Sequence, residues 1–206
     1  MKKLIYIIVV FCFFFTIVAA QNRSEELKRK AIQKMQVGRF GEAIDLLNKY
    51  ISANARKADG YNLRGLSFEK RIQYVNAILD FRRAVKLKPN NAEYKKNLSR
   101  TLTTWHKILR KRIEGFKREI AIEPSNPFNY LEIGKSYRWL EEWKNAEIWY
   151  DKYLSRDKNA SPDEIIRYSI ILAKTGSIVK GERILKKYVN RYPSDWRLWS
   201  RYGYFT

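Results

Sequence analysis

Residues 61–89 read YNLRGLSFEKRIQYVNAILDFRRAVKLKP, and this stretch decides the fold. It sets two small residues, Gly65 and Ala77, among recurring aromatic side chains at Tyr61, Phe68, Tyr74 and Phe81, and Pro89 closes the segment. Two small positions, one in each of two consecutive short helices, are what a closely crossing helix pair needs, because a bulky side chain there would push the backbones apart. The pattern recurs along the chain. Ala43, Ala77, Ala146 and Gly181 stand one, two and one repeat lengths apart, and Phe40, Tyr74, Trp143 and Ile178 each precede one of them by three positions. A second series, Ala31, Gly65, Gly134 and Ser169, runs ahead of the first at a constant interval, the step from Ala31 to Ala43 being the same as that from Gly65 to Ala77, and Gly203 continues it. Pro89, Pro124 and Pro193 close three of the units, as suits a residue that ends helices.

A period of roughly 34 residues is typical of helix-turn-helix solenoids. With Tyr61, Leu63, Gly65, Phe68, Tyr74, Ala77, Phe81, Ala84 and Pro89 in one unit, and Tyr130, Ile133, Gly134, Tyr137, Trp143, Ala146, Tyr150 and Tyr153 in another, the sequence resembles the tetratricopeptide repeat (TPR) family. The expected fold is all-α, a right-handed α-solenoid of antiparallel helix pairs, with units 24–57, 58–91, 92–126, 127–161 and 162–195 and a partial unit 196–206. The third unit departs from the pattern: Lys111 or Arg112 stands where the small residue of its second helix should fall, and no Gly or Pro marks a turn between Asn91 and Gly115. A longer helix or a displaced turn is expected there, with Gly115 as the residue that permits a close crossing.

Composition sets the remaining bounds. Nine Gly and five Pro in 206 residues argue against a many-turned β fold, and 45% hydrophobic content argues against disorder. Forty-two Lys+Arg against 21 Asp+Glu give +21, which favours anionic partners. At the N-terminus, Lys2-Lys3 precede the apolar run Leu4 to Val18, and Val18-Ala19-Ala20 offer small residues for cleavage, so residues 1–20 read as a secretory signal peptide. The stretch from Leu4 to Ala20 sits at the lower limit of length for a spanning helix, and an uncleaved membrane anchor is the alternative. Cleavage before Gln21 leaves residues 21–206 with no cysteine, so an exported protein of this sequence depends on packing and not on disulfides. The expected location is the periplasm, cell envelope or extracellular space.

No catalytic constellation emerges. His106 has no second His or Cys beyond the leader to share a metal with, Glu25-Glu26 and Glu141-Glu142 read as solvated surface, and no Gly-rich phosphate loop is present. The expectation is a non-enzymatic scaffold without cofactor or metal. The TPR resemblance implies a concave groove lined by the first helix of each unit, here Lys28, Ile32 and Met35, then Asn62, Leu66 and Lys70, then Leu131, Lys135, Arg138 and Trp139. Its chaperone-tail clamp is not reproduced, since Ile32 stands where the first asparagine should be. The run Lys107, Arg110, Lys111, Arg112, Lys117 and Arg118 is the strongest basic patch. The partners expected are a protein or peptide, acidic in character, or an anionic glycan or lipid headgroup; nucleic acid is disfavoured because an exported protein seldom meets it. An accessory domain of a longer enzyme is the remaining alternative. Trp196, Trp199, Tyr202, Tyr204 and Phe205 predict an exposed aromatic patch, to be covered by further repeats, a partner subunit or a compact cap.

Overall fold

The computed structural model describes residues 22–206; the expected signal peptide and Cys12 lie outside the described residues. Among the described residues there is no strand, and ten helices follow one another: α1 (22–36), α2 (Phe40–Ala53), α3 (Ala58–Lys70), α4 (Tyr74–Leu87), α5 (Ala92–Ile122), α6 (Pro127–Trp139), α7 (Trp143–Arg156), α8 (Pro162–Thr175), α9 (Ile178–Arg191) and α10 (Trp196–Phe205). The fold class is all-α, a solenoid of helix hairpins with TPR-like repeat length. The chain divides at Trp105 and His106 into two compact units.

In the first unit, Ala43, Leu47, Tyr50, Ala77, Ile78, Phe81 and Ala84 are fully buried. The small positions do what their spacing predicts. A Cβ added to Gly65 would lie 2.7 Å from the Phe81 ring, so α3 and α4 approach closely only because that position is glycine. Polar terminal groups are met locally: the Asn91 side chain accepts from the Tyr94 N–H at 3.0 Å at the start of α5.

The second unit repeats the plan with Ile133, Ala146, Tyr150, Ile165, Tyr168, Ile171, Leu172, Leu185 and Leu198 at its centre. A Cβ on Gly134 would lie 2.7 Å from the Tyr150 ring, and one on Gly181 would meet Phe205. Tyr150 stacks on Tyr168 with ring centroids 5.3 Å apart. Three of its helices start on side-chain caps: Asn126 accepts from Phe128 N–H ahead of Pro127, Ser161 from Glu164 N–H ahead of Pro162, and Asp195 from Arg197 N–H.

Two further series keep the repeat period. Within the hairpin turns the left-handed conformation recurs at Gly38, Ile72, Glu141 and Gly176, with φ of +75°, +62°, +59° and +76°. At the start of three first helices an aromatic side chain reaches back six residues to a carbonyl: Tyr61 Oη to Ala55 O (3.2 Å), Tyr130 Oη to Pro124 O (2.9 Å) and Trp199 Nε1 to Pro193 O (2.9 Å).

The third unit contains no hairpin. α5 runs unbroken for 31 residues, about 46 Å at 1.5 Å per residue. Asn62 accepts from Asn97 Nδ2 at 3.0 Å, and in the register this sets the counterparts of Gly65 and Ala77 are Arg100 and Arg112. A close crossing there would bury two guanidinium groups at the backbone contact, a large desolvation cost. Instead Arg100 donates to Glu69 and Arg112 to Glu132. Gly115 does not serve a crossing: a Cβ added to it meets nothing within 4 Å.

Candidate functional site

The first helices of the repeats carry the expected groove positions. In the first unit, Lys28 of α1 is neutralised by Glu25 at 2.6 Å and Asp59 at 2.9 Å. Lys28 and Lys57 together hold the Glu25 carboxyl down to about 2, well below its ordinary 4.5. Ile32 and Met35 are half-buried. Asn62 is 4% exposed and is committed to Asn97, so it is a structural link between α3 and α5 and not a free lining group. Leu66 and the exposed Lys70 line a cleft of about 480 Å³ with Glu69 and Arg100. Glu69 in turn accepts from Arg100 at 2.6 Å and Thr101 at 2.8 Å.

In the second unit, Leu131 is buried and packs in the core, because α6 is covered on several sides. The neighbouring positions form a ladder of alternating charge. Lys135 Nζ lies between Glu132 (3.2 Å) and Glu164 (3.1 Å). Arg112 pairs with Glu132, Arg167 with Glu164 at 3.1 Å, and the Tyr150 hydroxyl lies 3.3 Å from Glu164 Oε2. Burial and the Glu164 carboxylate push the Tyr150 phenol far above its ordinary value, so it stays a neutral donor. Arg201 of α10 donates to Ser169 Oγ at 3.0 Å, a neutral acceptor where Arg112, Lys135 and Arg167 have carboxylates. Arg138 lies 5.6 Å from the centroid of Trp139, and its Nε is buried without a hydrogen-bond partner. Lys135, Arg138 and Trp139 are all partly exposed. The cations on this face therefore outnumber its two buried carboxylates, Glu132 and Glu164.

Of the basic run on α5, Arg110 pairs with Glu142, Arg112 with Glu132 and Lys117 with Glu114 at 3.0 Å. Lys107, Lys111 and Arg118 are exposed, and at about 100° per residue they share one face of the helix. The patch is thus half as strong as its residue count. Sequence reasoning missed Glu132, Glu164, Arg167 and Arg201. A signal was present: the acid–base pair Glu132/Lys135 on one first helix recurs as Glu164/Arg167 on the next. Among the described residues no cluster of His, Cys, Asp and Glu could hold a metal ion, and no helix is long and apolar enough to cross a membrane.

No protein-family model matches the chain, and no curated protein matches it. Solved structures of similar fold include a thermophilic TPR protein, TTC0263, of Thermus thermophilus (17% identity, TM-score 0.42, covering 88% of this chain and 98% of that one). A tetratricopeptide repeat protein from Parabacteroides merdae is 19% identical, with TM-score 0.39 over 88% of this chain and 72% of that one. MamA is 23% identical, with TM-score 0.40 over 69% and 77%.

Proposed function

We propose that this chain is an exported, non-enzymatic protein-interaction scaffold of the cell envelope or extracellular space, and that its second unit binds an acidic protein segment along the first-helix face of α6, α8 and α10. The observation that carries the reading is the surplus of cations there. Glu132 and Glu164 are shared among Arg112, Lys135 and Arg167, while Arg201 donates to the neutral Ser169 and the half-buried Arg138 guanidinium lies over the Trp139 ring. A carboxylate from a partner supplies what this face lacks, and Trp139 beside Arg138 offers an aromatic wall. Stacked first helices suit an extended or helical segment.

The test is titration of a fluorescein-labelled oligoglutamate peptide by anisotropy at low and high salt. Binding should weaken steeply with ionic strength. Arg138→Gln should weaken it about tenfold with unchanged helicity. No binding at low salt, or equal binding by Arg138→Gln, refutes the site. Export is tested separately by intact mass from the native host, which should lack residues 1–20; retention of that mass in a membrane pellet supports the uncleaved anchor. Lys107, Lys111 and Arg118, aligned and exposed, support a second reading, an anionic glycan or lipid surface, which heparin binding lost in the triple Ala variant would favour.

A further inference from the structure

Helix α10 has two faces of different character. Leu198 and Phe205 are buried, and Phe205 rests on Gly181. On the opposite side, at about 100° per residue, Trp196, Trp199, Ser200 and Gly203 fall within roughly 100° of arc. All four are exposed; Trp196 is 74% and Trp199 46% accessible. A Cβ placed on Gly203 meets nothing within 4 Å.

The rest of the chain indicates what such a face accepts. Gly203 is the counterpart of Gly65 and Gly134, and each of those receives an aromatic ring from a helix joined to its own by three residues, Phe81 of α4 and Tyr150 of α7. So short a connection makes the two helices antiparallel neighbours. Trp199 is likewise the counterpart of Tyr61 and Tyr130, anchored to a carbonyl six residues back as they are. Tyr130 is covered by Trp149 at 5.9 Å between ring centroids and by Arg156 at 3.8 Å, whereas the ring beside Trp199 is its own-helix neighbour Tyr202 at 6.2 Å. The face is thus built to receive an antiparallel helix that brings an aromatic ring to a glycine.

The order of the stripe identifies that helix. Read along α10 it runs large, large, small, small: Trp196, Trp199, Ser200, Gly203. Laid antiparallel on itself about a two-fold axis midway between Trp199 and Ser200, every tryptophan meets a small residue. Trp196 covers the partner's Gly203, and Trp199 covers the partner's Ser200, with the reverse contacts generated by symmetry. Such self-complementarity is what an isologous interface requires. The flanking cations do not oppose it, because Arg197 is held by Asp163 (2.6 Å) and Asp195 (2.7 Å) and Arg201 turns to Ser169. We infer that the exposed face of α10 is a homodimer contact in which two copies of this chain pair α10 against α10, each tryptophan seated on the small residues of the other.

A contact between two ten-residue helices is small, so a weak and reversible dimer is expected. The experiment is sedimentation velocity of the full chain from low to high micromolar concentration, with tryptophan emission recorded in parallel. A reversible monomer–dimer equilibrium is expected, with a blue shift on association. High salt should strengthen it, because each copy carries +21. Gly203→Gln fills the socket while leaving the monomer's helicity intact, and should weaken the dimer by at least about tenfold; Trp196→Ala should do the same. A chain that stays monomeric at every concentration overturns the inference, as does a dimer that Gly203→Gln leaves unchanged. Because four half-buried tryptophans also emit, the stripe is read by difference against the Trp196→Ala and Trp199→Ala variants. A monomer whose Trp196 and Trp199 contributions already resist acrylamide quenching also overturns the inference, since the stripe would then be covered within one chain.

Discussion

Replacing Ile72 by glycine should stabilise the first unit, although it removes a large apolar side chain. Ile72 occupies the left-handed turn position that Gly38 and Gly176 fill elsewhere, with φ of +62°. An L-residue in that region costs about 1–2 kcal/mol, and β-branching places isoleucine at the upper end. The side chain is 73% exposed, so truncation forfeits little burial. The turn is held by main-chain bonds that glycine preserves, Ile72 N–H to Glu69 O and Gln73 N–H to Phe68 O, both 2.9 Å. Against the relieved strain stands the extra freedom of glycine in the unfolded chain, about 0.5–1 kcal/mol. The net gain is about 1 kcal/mol, or roughly fivefold slower exchange of the α3 and α4 amides when opening is global. Hydrogen exchange reads this locally, and the urea midpoint should rise with an unchanged slope. The mirror substitution Gly176→Ile should lose about 1 kcal/mol by the same balance. Faster exchange in Ile72→Gly, or no loss in Gly176→Ile, would refute the reasoning.

Two other expectations follow from glycine surroundings and from charge. Gly65→Ala should cost about 1–3 kcal/mol, because its Cβ would lie 2.7 Å from the Phe81 ring, whereas Gly115→Ala, in open space within α5, should gain about 0.5–1 kcal/mol; urea unfolding separates them. In acid, the protein should lose stability as pH falls from about 4.5 towards 2. Hydrogen bonds from Lys28 and Lys57 hold Glu25 low; at Glu147 burial opposes ionisation, but Thr175, Lys180 and Ser177 outweigh it and hold that carboxyl low too. Carboxyls depressed in the folded state stabilise it above their unfolded pKa and release that stability on protonation. A urea midpoint that rises between pH 4.5 and pH 3 would contradict this.

The hairpins were legible because their cause is local. A small residue at a crossing and an aromatic ring above it are fixed by spacing alone, so Ala43, Ala77 and Ala146 come out fully buried as their regular intervals require. The lining of the candidate site was less legible, because it depends on which side chains meet across helices. Lys135 looked free in sequence, yet its second partner, Glu164, stands on another helix, α8. Asn62 looked like a ligand contact until Asn97 supplied its bond from α5. In the third unit the missing Gly and Pro hinted at a long helix, but the decisive fact was the pair of arginines at both small positions, visible only once Asn62–Asn97 had set the register.

Two kinds of glycine–ring pair hold the repeats, and they differ in what they permit when sequences recombine. Gly65 with Phe81 and Gly134 with Tyr150 lie inside one hairpin, at the same separation in both cases, so they travel together whenever that hairpin is duplicated or moved. Gly60 under Tyr50 and Gly181 under Phe205 join one hairpin to the next, and they are divided at every junction. Internal pairs therefore make a hairpin a portable cassette, while junction pairs act as a grammar for which cassette can follow which. A shuffled array in which α3 follows a second helix that lacks the Tyr50 ring keeps its hairpin but leaves a gap at the seam. Grafting tyrosine at the matching position of that second helix should close it.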